Sequence, residues 1–294
     1  MGVKLWITLI SAIAATVAVV VLLSGTLFEE EQAFPANTLR IGVLPDENRK
    51  ILKQRYQPLF QHLEKSTGMK TELVIPENYD QLLDMLGNKE IEIAYLGGFT
   101  FVKAHKHFGA VPLVMRDIDT RFRSYFLARV DGAMKTIGEF KGTRLAFGSK
   151  LSTSGHLMPR YFLKDKGFNP ETYFSSVEFS GAHDKTALWV RDGRVDIGAA
   201  NAVIIDSMFS DGRLSVADIR IIWKTPSYPG YVWVACDKVP ARIRQLVISS
   251  FLDLGTGEQA HARVLNSIGA GGFLPARLSD FKELREVAES LGML

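Results

Sequence analysis

The sequence has almost no cysteine, and its first apolar stretch has no charge. Cys236 is the single cysteine among 294 residues, which excludes an intramolecular disulfide framework and any zinc or iron–sulfur site built from several cysteines of one chain. No Lys/Arg-rich stripe is present, and a formal net charge of +3 is too small to indicate nucleic-acid binding. With 47% hydrophobic and 23% charged residues, the composition is typical of a folded globular protein.

The stretch without charge is Leu5–Phe28, which lies between Lys4 and the acidic run Glu29–Glu31. A helix of this length would measure about 36 Å and could cross a hydrocarbon core of about 30 Å. Its positive flank predicts a cytoplasmic amino terminus and an extracytoplasmic body. A cleaved signal peptide is the alternative. The apolar core of a signal peptide is usually shorter, roughly 7–15 residues, and is followed by an A-x-A-like cleavage site. No such site is found here, so residues 1–31 favour a retained transmembrane anchor.

From Asn37 onward, short β-type runs alternate with helical patterns. Leu39, Ile41 and Val43 alternate as in a strand, and apolar residues then recur at spacings of three and four between Leu52 and Leu63. This alternation continues along the chain and predicts an α/β fold with mostly parallel sheets covered on both faces. The body is large for a single core and has no Pro/Ser-rich linker, so we expect two lobes joined by strands.

The sharpest local motif is Ser152-Thr153-Ser154-Gly155, between a predicted strand at 144–147 and an amphipathic run. Hydroxyls and free backbone N–H groups at a helix start bind oxyanions, because the unpaired donors and the helix dipole both favour negative charge. Simple N-capping by one hydroxyl is the alternative interpretation. The sequence G-x-x-x-x-G-K-[ST] is absent, so the motif is not a nucleotide-binding P-loop.

Gly181-Ala182-His183-Asp184 forms a second candidate, again between a strand and a helix. His183 could donate to a bound anion or be a loop histidine with its own protein partners. Ser154, His183 and Asp196 could form a hydrolase triad, but no G-x-S-x-G motif precedes the serine. Tyr79 lies in the first turn of a helix that follows a strand, and Tyr95 ends the next strand. Open α/β sheets present their ligand crevices at such strand ends, although core packing explains each tyrosine equally well.

In this order, these segments resemble the periplasmic phosphate/phosphite/phosphonate substrate-binding proteins of ABC transporters. The similarity extends over roughly residues 38–274 and includes Pro76–Tyr79, Ile91–Gly97, Ser152–Gly155, Gly181–Asp184, Gly193–Asp196, Asn201 and Trp223–Pro226 with Pro229-Gly230. The resemblance implies a two-lobed Venus-flytrap fold of the type II periplasmic binding protein class. Residues 37–126 with 228–294 would form lobe 1, and residues 127–227 would form lobe 2.

The resemblance also implies a ligand site. Ser152, Thr153 and His183 correspond to family residues that hold phosphonyl oxygens, while Tyr79 corresponds to a tyrosine from the facing lobe. The complete predicted set is Tyr79, Tyr95, Ser152, Thr153, Ser154, His183, Asn201 and Tyr231.

Three departures from the family pattern predict the ligand range. Val203 and Tyr231 stand where relatives that bind aminoalkyl phosphonates carry acidic residues, and Phe122 replaces a tyrosine. An unpaired buried ammonium is costly, so the sequence predicts against 2-aminoethylphosphonate. It favours a small tetrahedral oxyanion, bare or with an apolar substituent.

The leading hypothesis is an extracytoplasmic binding protein, not an enzyme, that delivers a small oxyanion to an ABC permease. It requires neither cofactor nor metal, and its membrane contact is the anchor. The alternative is an oxyanion-sensing partner of a membrane histidine kinase. A Ser/His hydrolase using Ser154 and His183 is a remote third hypothesis.

Overall fold

The computed structural model describes residues 37–255 and 257–294, and Asn37–Leu294 form one compact unit. The anchor expected in residues 1–31 lies outside the described residues. Within the described ranges, no helix is both long and apolar enough to cross a membrane.

Strands and helices alternate through most of the chain. The strands are β1 (Thr38–Val43), β2 (Lys70–Val74), β3 (Ile93–Gly97), β4 (Val111–Arg116), β5 (Ser124–Arg129), β6 (Arg144–Phe147), β7 (Ser176–Phe179), β8 (Ile197–Asn201), β9 (Ile219–Lys224), β10 (Tyr231–Ala235) and β11 (Phe273–Pro275). The α-helices are α1 (Arg49–Thr67), α2 (Tyr79–Gly87), α3 (Gly98–Phe108), α4 (Met158–Asp165), α5 (Pro170–Tyr173), α6 (His183–Arg191), α7 (Ala202–Ser210), α8 (Ala241–Leu252), α9 (Gln259–Ile268) and α10 (Lys282–Ser290). A π-helical turn occupies Thr153–Leu157, and 3₁₀ turns occupy Asp117–Arg121, Ile137–Glu139 and Leu278–Phe281.

The strands form two sheets, and helices join most of them, as expected for an α/β fold. The first sheet has the order β11-β4-β10-β3-β1-β2, and the second has the order β7-β6-β8-β5-β9. The sheets are mixed: β1–β4 share one direction and β6–β9 share one direction, as the prediction of mostly parallel sheets expects, but β10 runs antiparallel to β3 and β4, and β5 runs antiparallel to β8 and β9. Both strands enter a sheet directly from the other one. They therefore start where the parallel strands end, as the pairs Tyr231 with Gly97 and Ser124 with Asn201 show.

Two short segments connect the sheets and lie side by side. Residues 117–123 lead from the first sheet to the second, and residues 225–230 lead back. Phe122 and Tyr228 exchange two backbone hydrogen bonds, of 2.8 and 3.0 Å, and the Gly230 N–H donates to the Asp119 carbonyl over 2.7 Å. This double connection is suited to hinge motion. The lobe boundaries at 126/127 and 227/228 stay a prediction.

The ends of four strands place helix starts on the facing edges of the two sheets. Gly97 precedes α3 in the first sheet, while Ser152, Ala182 and Asn201 precede the π-helical turn, α6 and α7 on the side of the second. Helices pack against the sheets through buried apolar residues. In α1 these include Leu52, Leu59 and Leu63. Because helix starts carry unpaired N–H groups, the polar edges of both sheets are rich in hydrogen-bond donors.

Candidate functional site

The Ser152–Gly155 segment forms the buried turn that the sequence predicted as an anion site. The Ser152 hydroxyl caps this turn by accepting a hydrogen bond of 2.9 Å from the Gly155 N–H. Thr153 and Ser154 open the π-helical turn, so their N–H groups have no carbonyl partner within it. All of these residues are buried, so the donors face the interior rather than bulk water.

His183 packs directly against this turn at the first position of α6. A Cβ atom on Gly155 would lie 2.9 Å from the His183 Cε1 atom, so only glycine lets the imidazole approach this closely. The backbone N–H of Asn201 donates to His183 Nδ1 over 3.1 Å. Because Nδ1 is therefore an acceptor, the neutral ring carries its proton on Nε2. Burial lowers the pKa of His183 to about 3, which keeps this neutral tautomer at physiological pH.

Three polar atoms of predicted site residues are buried without a hydrogen-bond partner. Across the described ranges, five buried side-chain nitrogen or oxygen atoms lack a partner, and these include the Tyr79 hydroxyl, the Ser154 hydroxyl and His183 Nε2. We call these three atoms the donor cluster. Burial raises the pKa of Tyr79, and the nearby Ser152 hydroxyl offsets part of this rise although the two oxygens do not meet hydrogen-bond geometry.

Ser154 belongs to the Ser152–Gly155 turn, the His183 ring packs against Gly155, and the Tyr79 hydroxyl lies near Ser152. Each of the three atoms can donate a proton to an acceptor. A buried donor without a partner is costly, typically about 1–3 kcal/mol, and structures rarely leave several together. A bound group that offers only acceptor oxygens would satisfy all of them. The donor cluster therefore fits an anion with several oxygens.

The remaining predicted residues already have protein partners. Thr153 Oγ1 accepts a hydrogen bond of 2.8 Å from the Phe99 N–H at the start of α3. This bond joins the two sides of the molecule, by which we mean the part around the first sheet and the part around the second. Asn201 Nδ2 donates to the Tyr231 hydroxyl over 3.1 Å, and the Tyr95 hydroxyl donates to Asp119 over 3.3 Å. The structure thus brings Tyr79, Ser154 and His183 together as unpartnered groups and uses the others as a scaffold.

A buried carboxylate, Asp46, was missed by sequence reasoning. Its Oδ2 atom accepts a hydrogen bond of 2.8 Å from the Tyr231 hydroxyl, and its carbonyl oxygen accepts one of 2.9 Å from the His183 N–H. Burial is the main reason that the pKa of Asp46 is raised to about 6. Asp46 lies just after β1, and the rule that pointed to Tyr79 and Tyr95, that strand ends present ligand crevices, was the signal that could have found it.

Asp46 lines a cavity of about 140 Å³ beside the donor cluster, which we call the Asp46 cavity. Val203 and Tyr231 also line it, and the Phe122 ring packs edge-on against Tyr231 at a centroid distance of 5.6 Å. Arg55, which is paired with Glu47, and Arg116, which is paired with Asp119, also line the cavity.

The hydrolase triad suggested by residue order is wrong. Asp196 makes its hydrogen bonds to Arg144, at 3.0 and 2.9 Å, rather than to His183. His183 Nδ1 is occupied by a backbone N–H, so Nε2 is protonated and cannot accept a proton from Ser154.

Comparisons with known proteins identify the family of the chain. Residues 41–281 match the family described as ABC transporter, phosphonate, periplasmic substrate-binding protein. The chain is 30% identical over 284 residues to a phosphate-import protein, PhnD, of Mycolicibacterium smegmatis, covering 89% of this chain and 88% of the relative. It is 27% identical over 268 residues to a probable ABC transporter phosphite-binding protein, PhnD1, of Prochlorococcus marinus, covering 87% of this chain and 90% of the relative.

A solved structure of the Prochlorococcus marinus protein PhnD1 in complex with methylphosphonate superposes with a TM-score of 0.83 and covers 88% of this chain and 99% of its own. The two-sheet α/β fold is thus that of a periplasmic binding protein, and the location is extracytoplasmic. Proteins of this family are the binding components of transporters, not enzymes. The chain belongs to the family of phosphonate-type periplasmic substrate-binding proteins of ABC transporters.

Proposed function

We propose that this protein binds a small phosphorus oxyanion at the donor cluster and delivers it to its ABC permease. The observation that carries the proposal is the set of three buried, unpartnered atoms on Tyr79, Ser154 and His183. The N–H groups at the start of the Ser152–Gly155 turn would add further donors. The names of the relatives, which include a phosphate-import and a phosphite-binding protein, support the same ligand class.

Contacts between the two sides of the molecule explain how such a ligand would be enclosed. The Phe99 N–H donates to Thr153 Oγ1, and the His183 N–H donates to the Asp46 carbonyl. Tyr79 belongs to the side of the first sheet, whereas Ser154 and His183 belong to the second, so an anion held by all three would favour the closed arrangement.

We also propose that 2-aminoethylphosphonate is a poor ligand. Val203 and Tyr231 offer no charge to an ammonium group in the Asp46 cavity. Asp46 does supply a carboxyl group, but it already accepts a hydrogen bond from Tyr231, and burial raises its pKa to about 6. Arg55 and Arg116 are paired with Glu47 and Asp119, so the cavity offers an ammonium group no carboxylate without a partner, whereas a methyl group needs none.

A thermal-unfolding screen of the full chain in detergent tests the proposal. At a hundredfold excess over Kd, a ligand raises the free energy of unfolding by about 2.7 kcal/mol. We expect such stabilisation with phosphate, phosphite or methylphosphonate, little with 2-aminoethylphosphonate, and its loss in His183→Ala but not in His105→Ala. An equal ligand effect in wild type and His183→Ala would contradict the proposed site.

We further propose that the protein is tethered to the inner membrane by an uncleaved amino-terminal helix. The support is the uncharged Leu5–Phe28 segment, about 36 Å long as a helix. The native protein should then fractionate with membranes at the intact mass of 32.7 kDa. A soluble extracytoplasmic protein shortened by residues from this segment would overturn the tether. Genes for a permease and an ATPase beside its own would favour transport over the sensing alternative.

A further inference from the structure

Glu47 connects the two sides of the molecule through a buried ion pair. It follows β1 of the first sheet, and its side chain is fully buried at 0% exposure. Its Oε1 atom lies 2.5 Å from Arg213 Nη1, and its Oε2 atom lies 2.5 Å from Arg55 Nη2. Arg213 follows α7, between strands β8 and β9 of the second sheet. One carboxylate is thus shared by an arginine from each side.

Glu47 and Arg213 each form a second ion pair, with a residue on the same side of the molecule. Glu47 keeps Arg55, which belongs to α1 beside the first sheet, and Arg213 keeps Asp211 at 2.7 Å. Separation of the two sides would therefore break the bond between Glu47 and Arg213 without leaving either charge unpaired. A pair of this kind can form and break reversibly, since the large penalty for a lone buried charge does not arise.

The position of the pair relates it to the ligand site. Asp46 is the neighbour of Glu47 in the chain, and its carbonyl oxygen accepts the N–H of His183. The ion pair therefore fixes the loop that contacts the first residue of α6, whose imidazole belongs to the donor cluster.

We propose that Glu47 and Arg213 are positioning residues that hold the closed form and set the ligand's dissociation rate. This inference rests on the proposed oxyanion-binding function. The pair touches no atom of the donor cluster, so it stabilises closure equally for every anion that fits. It changes how long a ligand stays and leaves unchanged which ligand is preferred.

Stopped-flow tryptophan fluorescence of the full chain in detergent, with methylphosphonate, phosphite and phosphate as probes, tests this role. In Arg213→Gln we expect the dissociation rate to rise about tenfold for each probe, while the association rate stays within about twofold and the order of affinities is kept. The control is Arg144→Gln, which removes a pair with Asp196 inside the second sheet and should change neither rate.

A double-mutant cycle with Glu47→Gln separates the pair from general damage. We expect the effects of the two substitutions on the dissociation rate to be less than additive, because each removes the same bond, although Glu47→Gln also removes the pair with Arg55. A dissociation rate in Arg213→Gln equal to wild type, or independent effects of the two substitutions, would overturn the positioning role. A wild-type chain that binds none of the three probes would instead overturn the proposed function, and the pair's role with it.

Discussion

The donor cluster and the Asp46 cavity lie next to each other but differ in hydrogen bonding. The polar atoms of the first lack protein partners, whereas those beside the second have them. In the donor cluster, Tyr79, Ser154 and His183 each present a buried atom with no partner. Beside the Asp46 cavity, Asn201, Tyr231 and Asp46 form a continuous chain of hydrogen bonds of 3.1 and 2.8 Å.

We infer that this difference separates the proposed ligand donors from the groups that hold the scaffold. A partnered network contributes to stability whether or not a ligand is present, whereas unpartnered buried donors cost stability until an acceptor arrives. Substitutions in the two regions should therefore have opposite effects on folding and on binding.

The largest expected effect is on affinity, in the donor cluster. Tyr79→Phe and Ser154→Ala each remove one unpartnered hydroxyl, and a hydrogen bond to a charged group contributes about 1.5–3 kcal/mol. We expect each variant to bind methylphosphonate about 10–100-fold more weakly by calorimetry. Without ligand, both should be at least as stable as wild type.

The matched control is Tyr125→Phe, since the Tyr125 hydroxyl donates to Asp206 over 3.1 Å. It should lose about 1 kcal/mol of stability and keep its affinity. Equal losses of stability in Tyr79→Phe and Tyr125→Phe would remove the distinction between the two kinds of hydroxyl.

A second prediction concerns the Asp46 cavity and pH. The pKa of Asp46 is raised by burial to about 6, so the folded state holds its proton more tightly than the unfolded state. This group therefore lowers stability as pH rises from about 4 to about 6. Asp46→Asn should gain stability relative to wild type over this range, by up to about 3 kcal/mol at neutral pH, as measured by denaturant unfolding. A constant difference between pH 4 and 7 would contradict the raised pKa.

The donor cluster should show the reverse dependence on pH. Burial lowers the pKa of His183 to about 3, so below pH 6.5 the unfolded state gains a proton that the folded state does not. Stability is then lost as pH falls, by about 1.4 kcal/mol at pH 5.5 from this residue. His156, whose pKa burial lowers to about 4, adds a similar slope. Comparison of wild type with His183→Asn isolates the first contribution, and identical slopes in the two proteins would refute it.

The smallest expected effect concerns ligand choice in the Asp46 cavity. Val203→Glu adds a carboxylate where an ammonium group would lie, whereas Val203→Gln adds a similar shape without charge. We expect the ratio of 2-aminoethylphosphonate to methylphosphonate affinity to rise about fivefold in the first variant only, a change of about 1 kcal/mol. The same ratio in both variants would show that charge in this cavity does not select the ligand.

Sequence reasoning identified the parts of the candidate site that local patterns encode. Ser152–Gly155 and His183 lie at helix starts after strands, and both were recognised from that context. It missed the antiparallel course of β5 and β10, because that depends on where the chain crosses between sheets. It also missed Asp46 and the bond from Glu47 to Arg213, which joins residues 166 positions apart. The triad failed because a backbone N–H, which no sequence motif reveals, fixes the tautomer of His183.

A crystal structure of the protein with methylphosphonate tests the central claim most directly. The account predicts phosphonyl oxygens within hydrogen-bond distance, about 2.6–3.2 Å, of the Tyr79 hydroxyl, the Ser154 hydroxyl and His183 Nε2. The methyl group should point toward Val203 and Tyr231. An anion bound elsewhere, with these three atoms still unpartnered, would contradict the account.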